Sequence, residues 1–263
     1  MELARPLRAF RHASRVPELW RCMRQTVNWG TLIGGYLGFW QLAYPREFRT
    51  RRGDVLTLED FHDLVTAWIV FFRREYQVDS SCRLIVDAGA NIGTFSLFAA
   101  REAAGARIIA LEPFPVTRAR LEGHVARNQL GERVACRPWA LGRADASRRM
   151  DDSSGISQSR GLCGEGAAGG GVPVEAVTLA TLWQREGLDQ VDLLKMDIEG
   201  GEHEVIPATP PEVLRKAAAL AMEYHPNGSK DELFSRLKDA GFALAHDAPA
   251  GLNSGVAHFR REA

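Results

Sequence analysis

The stretch LLKMDIEGGEHEVI, residues 193–206, concentrates groups able to do chemistry. Asp197 closes an apolar run, and Glu199, Glu202, His203 and Glu204 follow within seven positions. Carboxylates and an imidazole at this spacing suit an oxygen-rich metal site, an acid–base site, or the acidic first turn of a helix. A second group is VDAGANIGTF (86–95), in which Asp87 precedes a Gly89-x-Asn91-x-Gly93 turn. Glu112 stands twenty-five residues after Asp87, and Glu223 and His225 close a later apolar run, AMEYHP (221–226).

Such groups need strand ends to hold them. From about Arg83 onward, short β-branched runs alternate with longer helical patterns, which predicts a parallel α/β sheet with helices on both faces. Strands are expected over 83–89, 106–113, 133–141, 191–197 and 218–226, with Pro138 marking an end or an irregularity in the third. A helix should start at Pro115 and run to about Gln129. In an open sheet of this kind, ligands bind beyond the carboxyl ends of the strands. Alternation along VDLLKMD puts Leu193, Lys195 and Asp197 on one side, and Asp192, Leu194 and Met196 on the other. Central parallel strands are apolar on both faces, so Lys195 calls for an acidic partner. Asp197, at the strand's end, is the leading catalytic candidate, and Glu199 in the following turn is the second. Glu202 and Glu204 suit the first turn of a helix and His203 its solvated face. Glu223 and His225 would point toward the same cleft, the imidazole with a pKa suited to proton handling.

The glycine turn departs from the dinucleotide pattern Gly-x-Gly-x-x-Gly, because Asn91 stands at the second glycine and Gly93 comes one position early. A strand-end carboxylate at Asp87 suits a cationic ligand better than a phosphate, and S-adenosylmethionine offers an ammonium and a sulfonium. Glu112 is placed to accept hydrogen bonds from ribose hydroxyls, a role acids also serve in NAD enzymes.

Composition sets outer limits. The chain has 263 residues, 45% hydrophobic and 25% charged, which are ordinary globular values, and a formal net charge of zero, so no nucleic-acid partner is expected. The charge is uneven: residues 1–52 hold ten Arg against Glu2, Glu18 and Glu47. Cys22, Cys82, Cys136 and Cys163 show no ligand-like spacing, which points to reduced thiols and a cytoplasmic protein without a signal peptide. Val27–Tyr44 lacks charges over about a membrane span, yet its glycines and scattered aromatics predict a buried helix or a subunit contact rather than a span. A weak membrane-surface contact is the other reading. Residues 1–80 are expected to form a basic, aromatic helical extension, an acceptor cap or oligomer contact such as a homodimer would use, packed on a domain over 81–263. Tyr36, Phe39, Trp40 and the arginines of 46–52 would roof the cleft or meet a second copy. Residues 142–173, about thirty residues rich in Gly, Ser and charge, read as a flexible loop, with DDSSGISQS (151–159) ordering over a ligand.

Four pieces in order resemble the FkbM-type S-adenosylmethionine-dependent methyltransferases: VDAGANIGTFSL (86–97), ALEPFP (110–115) with Asn128 closing its helix, LLKMDIEGGEHEVI (193–206) and AMEYHP (221–226). VTLATL (177–182) also resembles that family's Thr-Leu segment, and the likeness spans roughly residues 70–226. The resemblance implies the seven-stranded, Rossmann-like class I methyltransferase fold and methyl transfer to a hydroxyl of a sugar, glycan or other metabolite. Gly201, where family members often carry an alanine-like residue, is a minor departure. With the resemblance, the expected cofactor-binding residues are Asp87, Gly89, Ala90, Asn91 and Gly93, with Glu112, Pro113, Ala140 and Asp197. The expected catalytic residues are Asp197, Glu199, Glu223 and His225.

Three alternatives stand beside this reading. One is a methyltransferase assisted by a divalent metal on Asp197, Glu199 and a later acid or His225. Another is a non-catalytic cofactor-binding module that docks a synthase or a membrane through its N-terminus. The third is a hydride-transferring dehydrogenase, disfavoured by the turn's spacing.

Overall fold

A computed structural model describes residues 15–152, 161–162 and 171–262. Its centre is a seven-stranded sheet of β3 (Leu84–Ala88), β4 (Arg107–Leu111), β5 (Val134–Arg137), β9 (Val191–Met196), β10 (Ala217–Tyr224), β11 (Phe242–Pro249) and β12 (Gly255–Arg261). The spatial order is β11-β12-β10-β9-β3-β4-β5, parallel except for β12, which runs antiparallel to both its neighbours. Order reverses between β3 and β9, where the first strand meets the fourth of the expected strands. That is the switch point at which an open α/β sheet holds its ligand.

Successive side chains of the central strands enter opposite cores, as a pleated strand requires. Ile85, Ile108 and Leu193 join the core that also buries Leu32, Trp68 and Phe98. Val86, Ile109 and Leu194 join the core behind Trp183 and Leu237. Both faces are therefore covered. α4 (Thr94–Glu102) and α5 (Pro115–Arg127) follow β3 and β4, and α6 (Leu179–Glu186), α7 (Glu202–Ala208), α8 (Pro211–Leu214) and α9 (Lys230–Asp239) come later in the chain.

The N-terminal extension is not purely helical. After α1 (Val16–Gln25) and α2 (Trp29–Leu37), an antiparallel pair, β1 (Arg46–Arg49) and β2 (Val55–Leu58), precedes α3 (Phe61–Trp68), which continues as a π-turn over Ile69–Arg73. Periodicity missed the hairpin because its four-residue strands are too short to show it. The extension shares one core with the sheet. Trp68 is fully buried, stacks on Tyr36 with ring centroids 3.9 Å apart, and donates to Glu18 Oε2 at 2.7 Å. Asn128, at the end of α5, exchanges two 2.8 Å hydrogen bonds with the Val55 backbone and so ties β2 to the sheet domain.

Two sequence expectations change. The expected third strand is two strands: Pro138, which has no N–H to give a ladder, separates β5 from β6 (Trp139–Leu141), which leaves the main sheet. The 142–173 segment is not one loop, because β7 (Ala146–Met150) pairs antiparallel with β8 (Val172–Val177), and β8 pairs parallel with β6. Beyond Asp152 the DDSSGISQS segment lies outside the described residues, as do Cys163 and residues 1–14. Cys22, Cys82 and Cys136 are free thiols. Among the described residues no helix is long and apolar enough to cross a membrane, and Val27–Tyr44 contains only the nine-residue α2.

Candidate active site

At the switch point lies a cavity of about 340 Å³, within the range of small-molecule sites. The turn after β3 forms one wall. Gly89 has φ +75°, and a Cβ there would stand 1.8 Å from the carbonyl oxygen of Asp197, so the first and fourth strand ends touch only because position 89 is glycine. Ala90, Asn91, Pro113 and Ala140 line the cavity; Gly93 does not, but starts α4 in a left-handed conformation. The Asn91 Oδ1 and Thr94 Oγ1 atoms at this turn are buried without a hydrogen-bond partner in the structure. Buried polar atoms are seldom left unpaired, and both residues line the cavity.

Glu112 stands beside them, accepting from the Asn91 N–H and the Phe114 N–H at 2.9 Å each. Burial pushes its carboxyl up to about 7, against the opposing pull of those N–H groups. The two bonds leave carboxylate lone pairs free for ligand hydroxyls.

Asp87 lies behind the cavity wall. It is wholly buried, does not line the cavity, and alternates onto the Ile85 face of the sheet, under α4. There it accepts from Ser96 Oγ at 2.7 Å and lies 3.1 Å from Lys195 Nζ. Its charge is therefore matched inside the protein by Lys195. Lys195 is the residue that acts on the turn: Nζ donates to Gly89 O at 2.9 Å and lies 3.6 Å from Asp197 Oδ2. Burial alone would lower the Lys195 pKa, but Asp87 and Asp197 outweigh it and raise it. Breaking such a buried pair by removing one member typically costs about 3–5 kcal/mol.

Asp197, Glu199, Glu223 and His225 all reach the cavity. The chain turns back after β9 through Glu199 at φ +55° and Gly200 at φ +94°. Glu202 holds that turn from beneath, accepting from the Ile198 N–H at 2.8 Å, with none of its surface exposed. His225 sits between Glu202, 3.3 Å from its Nδ1, and Glu199, 3.5 Å from its Nε2. Burial would lower the imidazole pKa, yet the bonds to Glu199 and Glu202 push it up to about 11. The two carboxylates thus favour the charged imidazole. His203 Nε2 donates to His225 O at 2.9 Å, and Glu204 faces Arg148 at 3.6 Å.

Sequence reasoning missed Tyr76. Its hydroxyl lies 3.3 Å from both Asp197 Oδ2 and Glu223 Oε2. Its segment is pinned to β12 by His258, whose Nε2 donates to Glu75 O at 2.6 Å. Burial, with Asp197 and Glu223 adding to it, raises the phenol well above its ordinary value, so Tyr76 stays protonated. Burial first, then Asp197, pushes Glu223 up to about 8. Nothing in the spacing around Tyr76 signals this role; it ends a helical pattern more than a hundred residues from either acid. The extension's other cavity residues, His62, Val65, Thr66, Ile69 and Val70, come from α3 and the π-turn. No described residue before His62 lines the cavity, so Tyr36, Phe39, Trp40 and the 46–52 arginines do not roof it.

Residues 87–244 match the Methyltransferase FkbM domain. The chain belongs to the FkbM methyltransferase family. Relatives of this FkbM chain include methyltransferase sdnD of Sordaria araneosa, 28% identical over 62% of this chain and 74% of its own. Another is the 31-O-demethyl-FK506 methyltransferase FkbM of Streptomyces tacrolimicus, 24% identical over 61% and 73%. Aeropyrum pernix fibrillarin, solved with natively bound S-adenosyl-L-methionine, aligns over 84% of each chain at 11% identity and a TM-score of 0.48. As an FkbM methyltransferase, the protein transfers methyl groups, and family membership implies S-adenosylmethionine as donor. The unpaired Asn91 and Thr94 oxygens and the Glu112 carboxylate fit a polar nucleoside ligand at the glycine turn.

Proposed function

We propose that this chain is an S-adenosylmethionine-dependent O-methyltransferase acting on a hydroxyl of a sugar, glycan or secondary-metabolite acceptor. The observation that carries the reading is the Asp197–Tyr76–Glu223 group on the cavity wall, next to the Gly89 turn. A hydroxyl acceptor must lose its proton, and a carboxyl with a pKa near the working pH is the efficient taker. Burial and the neighbouring Asp197 push Glu223 up toward that range, to about 8. Asp197 is held between Lys195 Nζ at 3.6 Å and the Tyr76 hydroxyl at 3.3 Å. Asp197 therefore orients Tyr76 and the acceptor, and Glu223 takes the proton. The name of the Streptomyces relative, which specifies a 31-O-demethyl acceptor, supports oxygen as the nucleophile.

S-adenosylmethionine, when bound, supplies a methyl group on a sulfonium that is already activated for displacement. Asn91, Thr94 and Glu112 would hold it at the turn, and the protein's remaining task is to place the acceptor oxygen in line. Val65, Ile69 and Trp139 give that approach apolar walls. Incubation with S-adenosylmethionine and a panel of hydroxylated saccharides and metabolites is expected to release S-adenosylhomocysteine; release with amine acceptors alone would overturn the oxygen assignment. Glu112→Gln should weaken cofactor binding about tenfold in titration calorimetry, the loss of one charge-assisted hydrogen bond to a ribose.

A metal-assisted variant keeps one geometric support. Ligand atoms of Asp197, Glu199 and His225 lie within 4.8 Å of one another. A metal there must displace the proton that holds His225 between two carboxylates. Turnover is expected to survive exhaustive EDTA treatment, and loss restored by magnesium would reverse the choice.

A further inference from the structure

The outer face of α1 is apolar and has no cover among the described residues. Val16, Trp20 and Met23 recur at helical spacing and are exposed, Trp20 over 53% of its surface, while the opposite face buries Glu18 and Cys22. A surface helix normally turns its apolar stripe inward; α1 shows one to solvent. Val27, Trp29, Phe39 and Trp40, in and beside α2, are exposed as well, and α2 packs on α1.

Cations flank this stripe. The Arg24 guanidinium lies over the Trp20 ring, 4.4 Å from its centroid. Arg51, at the β1–β2 tip, donates its N–H to Gln25 O at 2.7 Å and its guanidinium to Met23 O at 3.4 Å, which brings Arg51 and exposed Arg52 to the end of α1. The acids of the segment turn elsewhere: Glu18 inward to Trp68 and Arg73, Glu47 to Arg49 and Arg127. Residues 1–14 add Arg5, Arg8 and Arg11 to the same end of the sequence.

We propose that this face is a membrane-surface contact, with α1 lying in the interface plane of an anionic bilayer. Trp20 would sit at headgroup level and Arg24, Arg51 and Arg52 against the lipid phosphates. Trp and Arg at the edge of an apolar helix face are the pairing that interfacial helices use. A second copy fits less well, because a two-fold contact through one patch brings each arginine cluster toward its own duplicate. The proposal is independent of the methyl-transfer site, since no residue of this face lines the cavity.

Co-sedimentation of the full chain with phosphatidylcholine vesicles, with or without about 30% phosphatidylserine, tests it. Binding is expected only with phosphatidylserine, and it should weaken as salt rises. The double variant Arg51→Gln/Arg52→Gln should lower the partition coefficient about 25-fold, from two cations removed near a charged surface. Trp20→Ser should lower it severalfold, with the thermal midpoint unchanged in both variants. Absence of binding, equal binding to neutral vesicles, or insensitivity to these variants would overturn the proposal. So would a doubled mass in light scattering that Trp20→Ser abolishes, which would assign the face to self-association.

Discussion

Gly89→Ala is expected to abolish S-adenosylmethionine binding and to lower stability by about 3 kcal/mol or more. A left-handed conformation at a non-glycine residue costs about 1–2 kcal/mol, and position 89 has φ +75°. The larger cost is steric, because the new methyl would stand 1.8 Å from Asp197 O, a backbone atom that cannot swing aside. Relief requires the β3 and β9 ends to separate. That separation would break the Asp197 N–H bond to Ala88 O and shift the Lys195 anchor on Gly89 O. The glycine turn and the Asp197 carboxylate would then be misplaced together. Denaturant unfolding and titration calorimetry measure the two effects separately. Gly123→Ala, in α5 with nothing within 4 Å of the added methyl, is the control and should be neutral or slightly stabilising. Cofactor affinity within threefold of the parent in Gly89→Ala would show that the strand contact does not shape the site.

Glu223→Gln is expected to lower kcat by about 10²–10⁴, the usual contribution of a positioned base, while leaving cofactor affinity nearly unchanged. The amide keeps the shape and a hydrogen bond to Tyr76 but cannot take a proton. In the parent enzyme Glu223 is protonated below about 8, so the rate should rise with pH through that value; the variant should lose this limb. Stability carries the opposite sign. A carboxyl raised from 4.5 to about 8 binds a proton in the folded chain that the unfolded chain has released, so the parent loses stability as pH rises from about 4.5 to about 8. The variant should not lose that part. His225, raised from 6.5 to about 11, contributes stability that is fully present below about 6.5 and lost as pH rises through about 11. A parent-like kcat in Glu223→Gln, with the pH limb retained, would return the proton to Asp197.

Much of the sheet was readable because its signals are local. An apolar run ended by Asp87-x-Gly89, or by Met196-Asp197, marks a strand and its carboxyl end through side-chain period and turn chemistry alone. Lys195 in an apolar strand announced its own acidic partners, and the structure supplies Asp87 and Asp197. The β1–β2 hairpin and β7 escaped because four or five residues are too few to establish a period against charged surroundings. The partners of Asp87 are not legible in the sequence: only the fold brings Ser96 of α4 and Lys195 of β9 against it.

The sequence by itself determined the strand ends, the glycine turn and the carboxylates that follow them, since each depends on neighbours within a few residues. Tertiary structure alone decided which groups share a proton. Tyr76 meets Asp197 across 121 positions and Glu223 across 147. Glu199 and Glu202 came to favour the charged form of His225, and Glu223 was pushed up to about 8 by burial and Asp197. Burial and charge spacing set those values, and both exist only once the extension and two strand ends close around one cavity.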